Sequence, residues 1–110
     1  MISEGEIIEL YFPLKGVREK YHAGIVVSNN EHNELEDAFY CVMLSSKAYN
    51  REYIVEIQPE MLTKPISDLK GYAKTQILIR FNPNDIQRHL GNMKKQYLPQ
   101  LKEKIIKSIF

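Results

Sequence analysis

The sequence has a single cysteine, Cys41, among its 110 residues. A lone cysteine cannot form an internal disulfide, and no CxxC or Cys/His cluster exists to hold zinc. The opening segment, MISEGEIIEL, lacks the basic run and apolar stretch of a secretory signal, and no apolar run approaches the ~20 residues of a membrane span. These absences predict a cytoplasmic protein without a membrane segment.

The motifs of common cofactor and hydrolase chemistries are also missing. The chain has no glycine-rich phosphate loop, no GxSxG elbow and no HExxH pair. We therefore expect no bound cofactor and no metal. The net charge is only +1, so the chain is not a polycation. Lysines are nevertheless concentrated near its end, which permits a local nucleic-acid surface but more often marks a solvated face.

Length and residue pattern predict one domain, residues 1–110, that is mainly β. Alternation of apolar and polar residues, together with short apolar runs such as HAGIVVS, predicts five strands, over 5–12, 22–28, 38–46, 51–58 and 69–81. Residues 29–37 are expected to form a turn and an acidic loop. In the fifth strand the odd-numbered residues from 73 to 81 are expected to face inward, and the even-numbered residues from 72 to 80 outward.

Two helices are predicted after the strands. Asn82 as N-cap and Pro83 at the first helical position predict a short helix over 86–90. Apolar residues spaced by three and four predict a final amphipathic helix from about Lys94 to Ser108. That helix could begin near Tyr97, because Pro99 is tolerated only in a first turn. Five strands followed by helices favour a small barrel or curved sheet with a helix packed on it, either SH3-like or an OB-fold.

The segment that leads into the second strand carries the first candidate chemistry. Arg18 and Lys20 supply positive charge, and Tyr21 and His22 supply a phenol and an imidazole. Cleavage of RNA without a metal needs a base for the 2′-hydroxyl proton, an acid for the leaving 5′-oxygen, and cations near phosphorus. Histidine titrates near neutrality and suits either proton-transfer role. An ordinary strand end with solvated charges fits the same residues.

Two further groups of polar residues suit RNA binding. Ser45 and Ser46, followed by Lys47, end the third strand and could hold a phosphate oxygen. Tyr72, Lys74 and Gln76 fall on the outward face of the fifth strand, where they would suit stacking and base-edge contacts. A strand end and a solvent-exposed face explain both groups equally well. His32 and His89 are interpreted as surface or packing residues.

Five segments in order resemble the MazF/PemK family of toxin endoribonucleases. They are GEIIELYFP, HAGIVVS, VMLSSK, the stretch 66–77, and HLGNMKKQYLPQLKEKI. The resemblance implies an α+β fold, an SH3-like barrel of the MazF/PemK and CcdB type with a C-terminal helix. It also implies a homodimer, metal-independent cleavage of single-stranded RNA, and a cognate antitoxin that blocks the RNA groove.

The same resemblance assigns candidate site residues. The family's catalytic arginine and its catalytic threonine or serine fall on His22 and Ser45. The predicted RNA-binding residues are Lys15, Arg18, Lys20, Tyr21, Ser46, Lys47, Lys74 and Gln76.

An imidazole replaces a guanidinium at position 22, and it carries fewer donors and less charge at pH 7. Two readings stay open: His22 acts with charge from Arg18 or Lys20, or the protein has lost catalysis and binds nucleic acid or protein. A purely structural interaction domain is a third.

Overall fold

A computed structural model describes residues 2–15, 21–69 and 71–110 of the chain. Its strands are β1 (Glu6–Tyr11), β2 (Tyr21–Val26), β3 (Phe39–Ser45), β4 (Ile54–Glu56), β5 (Tyr72–Phe81) and β6 (Ile86–Asn92). Its α-helices are α1 (Asn30–Glu36) and α2 (Leu98–Ile109). Short 3₁₀ turns lie at Arg51–Tyr53, Pro59–Met61, Pro83–Asp85 and Lys95–Tyr97.

The six strands form one antiparallel sheet in the order β4-β5-β3-β2-β1-β6. The segment after β4 returns to the end of β6 through a bridge between Leu62 and Met93. Beside that bridge, Thr63 N donates to Asn92 O at 2.9 Å and Lys94 N donates to Met61 O at 2.8 Å. These contacts join the segments that follow the two edge strands, but the described edge strands β4 and β6 do not pair with each other, so the sheet is not a closed barrel. The predicted mainly β fold with a C-terminal helix is confirmed.

Each face of the sheet carries its own apolar core, because successive side chains of a strand point to opposite faces. In β3, Val42 and Leu44 enter the first core, and Cys41 and Met43 enter the second. We call these the α2-side core and the opposite core. The α2-side core contains Ile7, Ile25, Val42, Leu44, Ile57, Met61, Leu62, Ala73, Met93, Leu98, Leu101 and Ile105. The opposite core contains Ile2, Ile8, Leu10, Phe12, Val26, Phe39, Cys41, Met43 and Phe81.

A bulge in β5 reverses the alternation that the sequence suggests. Val42 of β3 pairs with Leu78, but the next residue, Met43, pairs with Lys74. The extra β5 residues shift the strand, so that Ala73 and Leu78 both pack against the α2-side core while Phe81 lies in the opposite core. The prediction of one inward face for the odd-numbered residues is therefore wrong, since a bulge leaves no mark in an alternating pattern.

The predicted acidic loop at 29–37 is instead the helix α1. Asn29 is its N-cap, with the side chain accepting from His32 N at 2.8 Å. Asn33 is buried and donates from Nδ2 to Ser28 O at 3.1 Å, and Ser28 Oγ donates to Asn33 Oδ1 at 2.6 Å. Polar contacts hold this helix against the sheet. Its sequence therefore lacks the apolar periodicity from which an amphipathic helix is predicted.

The predicted helix over 86–90 is also wrong, because these residues belong to β6. Asn82 does act as an N-cap, since its Oδ1 accepts from Asn84 N at 3.0 Å. The element that it caps is only the 3₁₀ turn at Pro83–Asp85. The chain then pairs with β1, a strand about eighty residues earlier. The predicted fourth strand, 51–58, is likewise reduced to the three residues of β4, preceded by a 3₁₀ turn.

The C-terminal helix forms as predicted. It begins at Leu98, with Pro99 in its first turn, and it buries Leu98, Leu101 and Ile105 against the α2-side core. Among the described residues, no helix is long and apolar enough to cross a membrane.

Candidate active site

A cleft of about 340 Å³ opens beside the β1–β2–β6 part of the sheet. One wall comes from the strands and the other from the segment 66–69. We refer to it as the cleft. Its lining residues are Glu9, Tyr21, His22, Ala23, Ser46, Ile66, Ser67, Asp68, Leu69, Arg88 and Leu90.

An ion pair between adjacent strands stands in this cleft. The β1–β6 register places Glu9 opposite Arg88. Arg88 donates from Nε to Glu9 Oε1 at 3.2 Å and from Nη2 to Glu9 Oε2 at 3.1 Å. These hydrogen bonds and the charge of Glu9 raise the pKa of Arg88. The guanidinium is therefore a permanent positive charge with a fixed orientation.

Two tyrosines form a cross-strand pair next to the cleft. Tyr11 and Tyr21 are opposite each other at the end of the β1–β2 ladder. Their ring centroids are 5.3 Å apart at an interplanar angle of 69°, and the residues are 45% and 50% exposed. Such an edge-to-face pair is rigid yet accessible, and aromatic faces of this kind accept unpaired bases.

His22 and Ser45, the two predicted catalytic residues, end neighbouring strands. The β2–β3 register pairs Gly24 with Met43, and continuing it by two residues brings His22 level with Ser45. The His22 ring lies edge-on to Phe12, with centroids 6.1 Å apart, while the residue also lines the cleft. Ser45 is 8% exposed, and its Oγ accepts from Lys47 N at 3.2 Å. Ser45 is thus mostly buried, whereas its neighbour Ser46 is exposed and lines the cleft.

The predicted solvent-facing row on β5 is wrong for Lys74. This side chain is only 6% exposed, and its Nζ donates to the backbone carbonyls of Lys47 and Tyr49, the latter at 3.4 Å. Burial lowers the pKa of Lys74. An ammonium group held in this way supports the 47–49 turn and is not available to a phosphate. Gln76 and Tyr72 are partly buried, and Gln76 Oε1 has no hydrogen-bond partner among the described residues.

Of the remaining predicted RNA-binding residues, the two described lysines do not line the cleft. Lys15 and Lys47 are exposed, and Lys47 Nζ lies 5.9 Å from the centre of the Tyr49 ring. Arg18 and Lys20 fall outside the described residues. The structure thus brings Tyr21, His22 and Ser46 together in the cleft.

Sequence reasoning missed Glu9 and Arg88. They lie on strands far apart in the chain, and Arg88 was assigned to a helix that does not form. Their joint position follows only from the β1–β6 pairing. Ser67 and Asp68 were also missed: the stretch 66–77 belongs to the family resemblance, but nothing in its sequence indicates that residues 66–69 lie beside β1 and β2. In the described part of the chain, no group of three or more His, Cys, Asp or Glu residues is placed to hold a metal.

Comparison with known proteins gives both a family and a fold. Residues 3–109 match the profile of the family described as the PemK-like, MazF-like toxin of type II toxin–antitoxin systems. No curated protein sequence matches the chain.

Solved structures match almost end to end. An endoribonuclease in complex with its cognate antitoxin from Mycobacterial species has a TM-score of 0.75 at 16% identity, covering 98% of this chain and 94% of that one. MazF from Deinococcus radiodurans has a TM-score of 0.73 at 14% identity, and the match covers 94% of this chain and 92% of that one. A chain of the MazE–MazF structure from the same organism has a TM-score of 0.72 at 12% identity, and the match covers 99% of this chain and 98% of that one. At these identities the likeness establishes the shared fold.

Proposed function

Because the chain belongs to the PemK-like, MazF-like toxin family of type II toxin–antitoxin systems, we propose that it is a cytoplasmic endoribonuclease that cleaves single-stranded RNA without a metal. The observation that carries the proposal is the cleft, which gathers an imidazole, a phenol, a hydroxyl and a guanidinium from two strands, β2 and β6, and the end of a third, β3. Similar folds bear the name endoribonuclease in the Mycobacterial structures.

The chemistry needs only proton transfer and charge stabilisation. The 2′-oxygen attacks phosphorus and loses its proton to a base, and the P–O5′ bond breaks as an acid protonates the 5′-oxygen. The products carry a 2′,3′-cyclic phosphate and a 5′-hydroxyl. His22 fits one proton-transfer role because imidazole titrates near neutrality. Of the two serines at the end of β3, Ser46 is exposed in the cleft and its hydroxyl suits a hydrogen bond to a phosphate oxygen, whereas Ser45 is mostly buried beside it.

The proposed partners follow from the family. A toxin of a toxin–antitoxin system is neutralised by its cognate antitoxin, and one of the similar structures is a complex with its cognate antitoxin. We propose that this chain is bound by such a protein and that it acts as a homodimer. Exposed apolar side chains at the end of α2, Ile106, Ile109 and Phe110, support a self-association surface.

A non-catalytic RNA-binding or protein-binding domain is the second candidate. The charges of the described cleft residues favour the protein-binding form of this candidate, because Glu9 and Asp68 oppose the single guanidinium of Arg88. RNA binding with so little positive charge would rely on the residues just before Tyr21 in the sequence, Arg18 and Lys20.

Incubation of the purified protein with a mixture of long messenger RNAs, with chelator present, separates these candidates. The endoribonuclease should produce discrete fragments that end in 2′,3′-cyclic phosphate. His22→Ala should lower the cleavage rate about 10²–10⁴-fold, the usual contribution of a general acid or base. His32→Ala is the matched control, because His32 lies on α1, outside the cleft.

Salt-dependent retention of intact RNA would instead support the binding domain. Wild-type cleavage by His22→Ala would remove His22 from the mechanism. Inducible expression should show growth arrest together with loss of RNA integrity, and co-expression of the antitoxin should reverse both.

A further inference from the structure

The cleft contains one permanent positive charge among the described residues, the guanidinium of Arg88. A phosphodiester carries one negative charge shared by its two non-bridging oxygens, and the negative charge on these oxygens increases as the deprotonated 2′-oxygen attacks phosphorus. A cation that contacts those oxygens stabilises the transition state more than the ground state. Arg88 is therefore the described group whose chemistry best fits this task.

The hydrogen bonds of Arg88 leave it free to bind a phosphate. A guanidinium has five N–H donors in a planar fork. Glu9 accepts from Nε and from one hydrogen of Nη2, which leaves three donors directed away from the carboxylate. The side chain of Arg88 is 66% exposed and that of Glu9 is 28% exposed. The carboxylate thus anchors one edge of the guanidinium while the other edge faces the solvent of the cleft.

The backbone also fixes this pair. Both residues sit within β-strands, and the β1–β6 register shifts between Glu9 and Leu10, immediately beside the pair. Bulges of this kind redirect side chains next to functional sites. A second arginine–glutamate pair, Arg80–Glu36, joins β5 to α1 at 3.3 Å, with side-chain exposures of 49% and 54%, but neither residue lines the cleft.

We infer that Arg88 binds the scissile phosphate of the RNA and that Glu9 is a positioning residue that holds its guanidinium in place. This inference rests on the proposed function and extends it, because it assigns the phosphate contact to a residue of β6. Glu9 makes no contact with the RNA in this arrangement and acts only through Arg88.

The test compares Arg88→Gln with Arg80→Gln, since both variants remove one exposed, carboxylate-paired arginine and change the net charge equally. Arg88→Gln should lower kcat by about 10²–10³-fold, the usual loss when one transition-state donor is removed. Arg80→Gln should keep wild-type kcat. Thermal melting of both variants, followed by circular dichroism, checks that they are folded.

A binding measurement separates this inference from the proposed function. The probe is a short random-sequence RNA in which every 2′-hydroxyl is methylated, so that it cannot be cleaved. Loss of one phosphate contact should reduce the slope of log K against log salt by about 0.7 in Arg88→Gln and leave it unchanged in Arg80→Gln. Wild-type protein that leaves all RNA intact would contradict the proposed function, and this slope would still decide whether Arg88 contacts phosphate.

Two conservative variants test the positioning role of Glu9. Arg88→Lys should restore the salt slope but not kcat, because an ammonium carries the charge without the planar fork. Glu9→Gln should lower kcat while KM stays equal or falls, since it frees the guanidinium and removes a negative charge from the cleft. If Arg88→Gln matches Arg80→Gln in both kcat and salt slope, the inference is wrong, and the pair only fixes strand register.

Discussion

Lys74 shows how far a residue's surroundings can change its role. An amine in a strand that alternates with apolar residues suggests a solvent-facing cation, yet this amine is buried and serves two backbone carbonyls. Buried carbonyls need donors, and a charged donor satisfies them more strongly than a neutral one. Burial lowers the pKa of Lys74 for a different reason, because the loss of surrounding water disfavours the charged form.

Lys74→Met should destabilise the protein by about 1–3 kcal/mol at pH 7, because the Lys47 and Tyr49 carbonyls lose their donor. The folded pKa of Lys74 lies below its ordinary value of 10.5. The unfolded chain therefore binds more protons between these two values, and wild-type stability gains with rising pH in that window. Lys74→Met should lack this gain. Urea unfolding at pH 7 and near pH 10 measures both effects.

Lys95→Met serves as the control, since Lys95 is exposed and lies in the 3₁₀ turn before α2. Its stability should stay close to that of the wild type at both pH values. Equal losses in the two variants would show that Lys74 does not support the 47–49 turn.

At the scale of elements, β5 connects the sheet to α2 through a buried hydroxyl. Thr75 is fully buried, and its Oγ1 donates to the carbonyl of Tyr53. It also lies 2.7 Å from Ser108 Oγ, which itself donates to Lys104 O at 2.8 Å. One threonine thus joins a strand, a 3₁₀ turn and the last turn of a helix, three elements that meet only in the folded protein.

Thr75→Val should cost about 1–3 kcal/mol of stability, because it keeps the side-chain shape but leaves a buried carbonyl without its donor. Thr63→Val is the matched control: Thr63 is exposed, and its Oγ1 donates to Asn92 O at 3.3 Å. Its effect should be within about 0.5 kcal/mol of zero, as for other surface substitutions. The measurement is the free energy of unfolding in urea. If Thr75→Val loses no more stability than Thr63→Val, the Thr75 hydroxyl does not stabilise the contact between β5, the 3₁₀ turn and α2.

At the scale of the whole molecule, the two cores share a single sheet. Alternate residues of β3 enter opposite cores, so neither core can lose its packing while the strand stays in place. The sheet is therefore expected to unfold as one unit, with no state in which one core survives alone.

Two substitutions on β3 test this coupling. Leu44→Ala opens a cavity in the α2-side core and should cost about 2–5 kcal/mol, and Phe39→Ala in the opposite core about 3–5 kcal/mol. Near-ultraviolet and far-ultraviolet circular dichroism should report the same urea midpoint in each variant. Separated midpoints in either variant would show that the cores unfold independently.

The sequence alone determined the elements whose signals are local. Strand β1 follows from alternation, β2 and β3 follow from short, mainly apolar runs, and α2 follows from apolar spacing together with Pro99 in its first turn. Family membership was also predictable, because motif order along the chain is itself a property of the sequence. The three strands and α2 each depend on neighbours within a few residues.

Tertiary structure decided the features that depend on distant partners. The bulge in β5 exists because its two halves pair with β3 in different registers, and β6 is a strand because β1 offers it a free edge. The cleft has the same origin: Tyr21 and His22 were identifiable from the sequence, but Glu9 and Arg88 meet only when the first and last strands lie side by side. Which strand pairs with which depends on residues from the whole sheet, so it cannot be predicted from a short stretch of neighbouring residues.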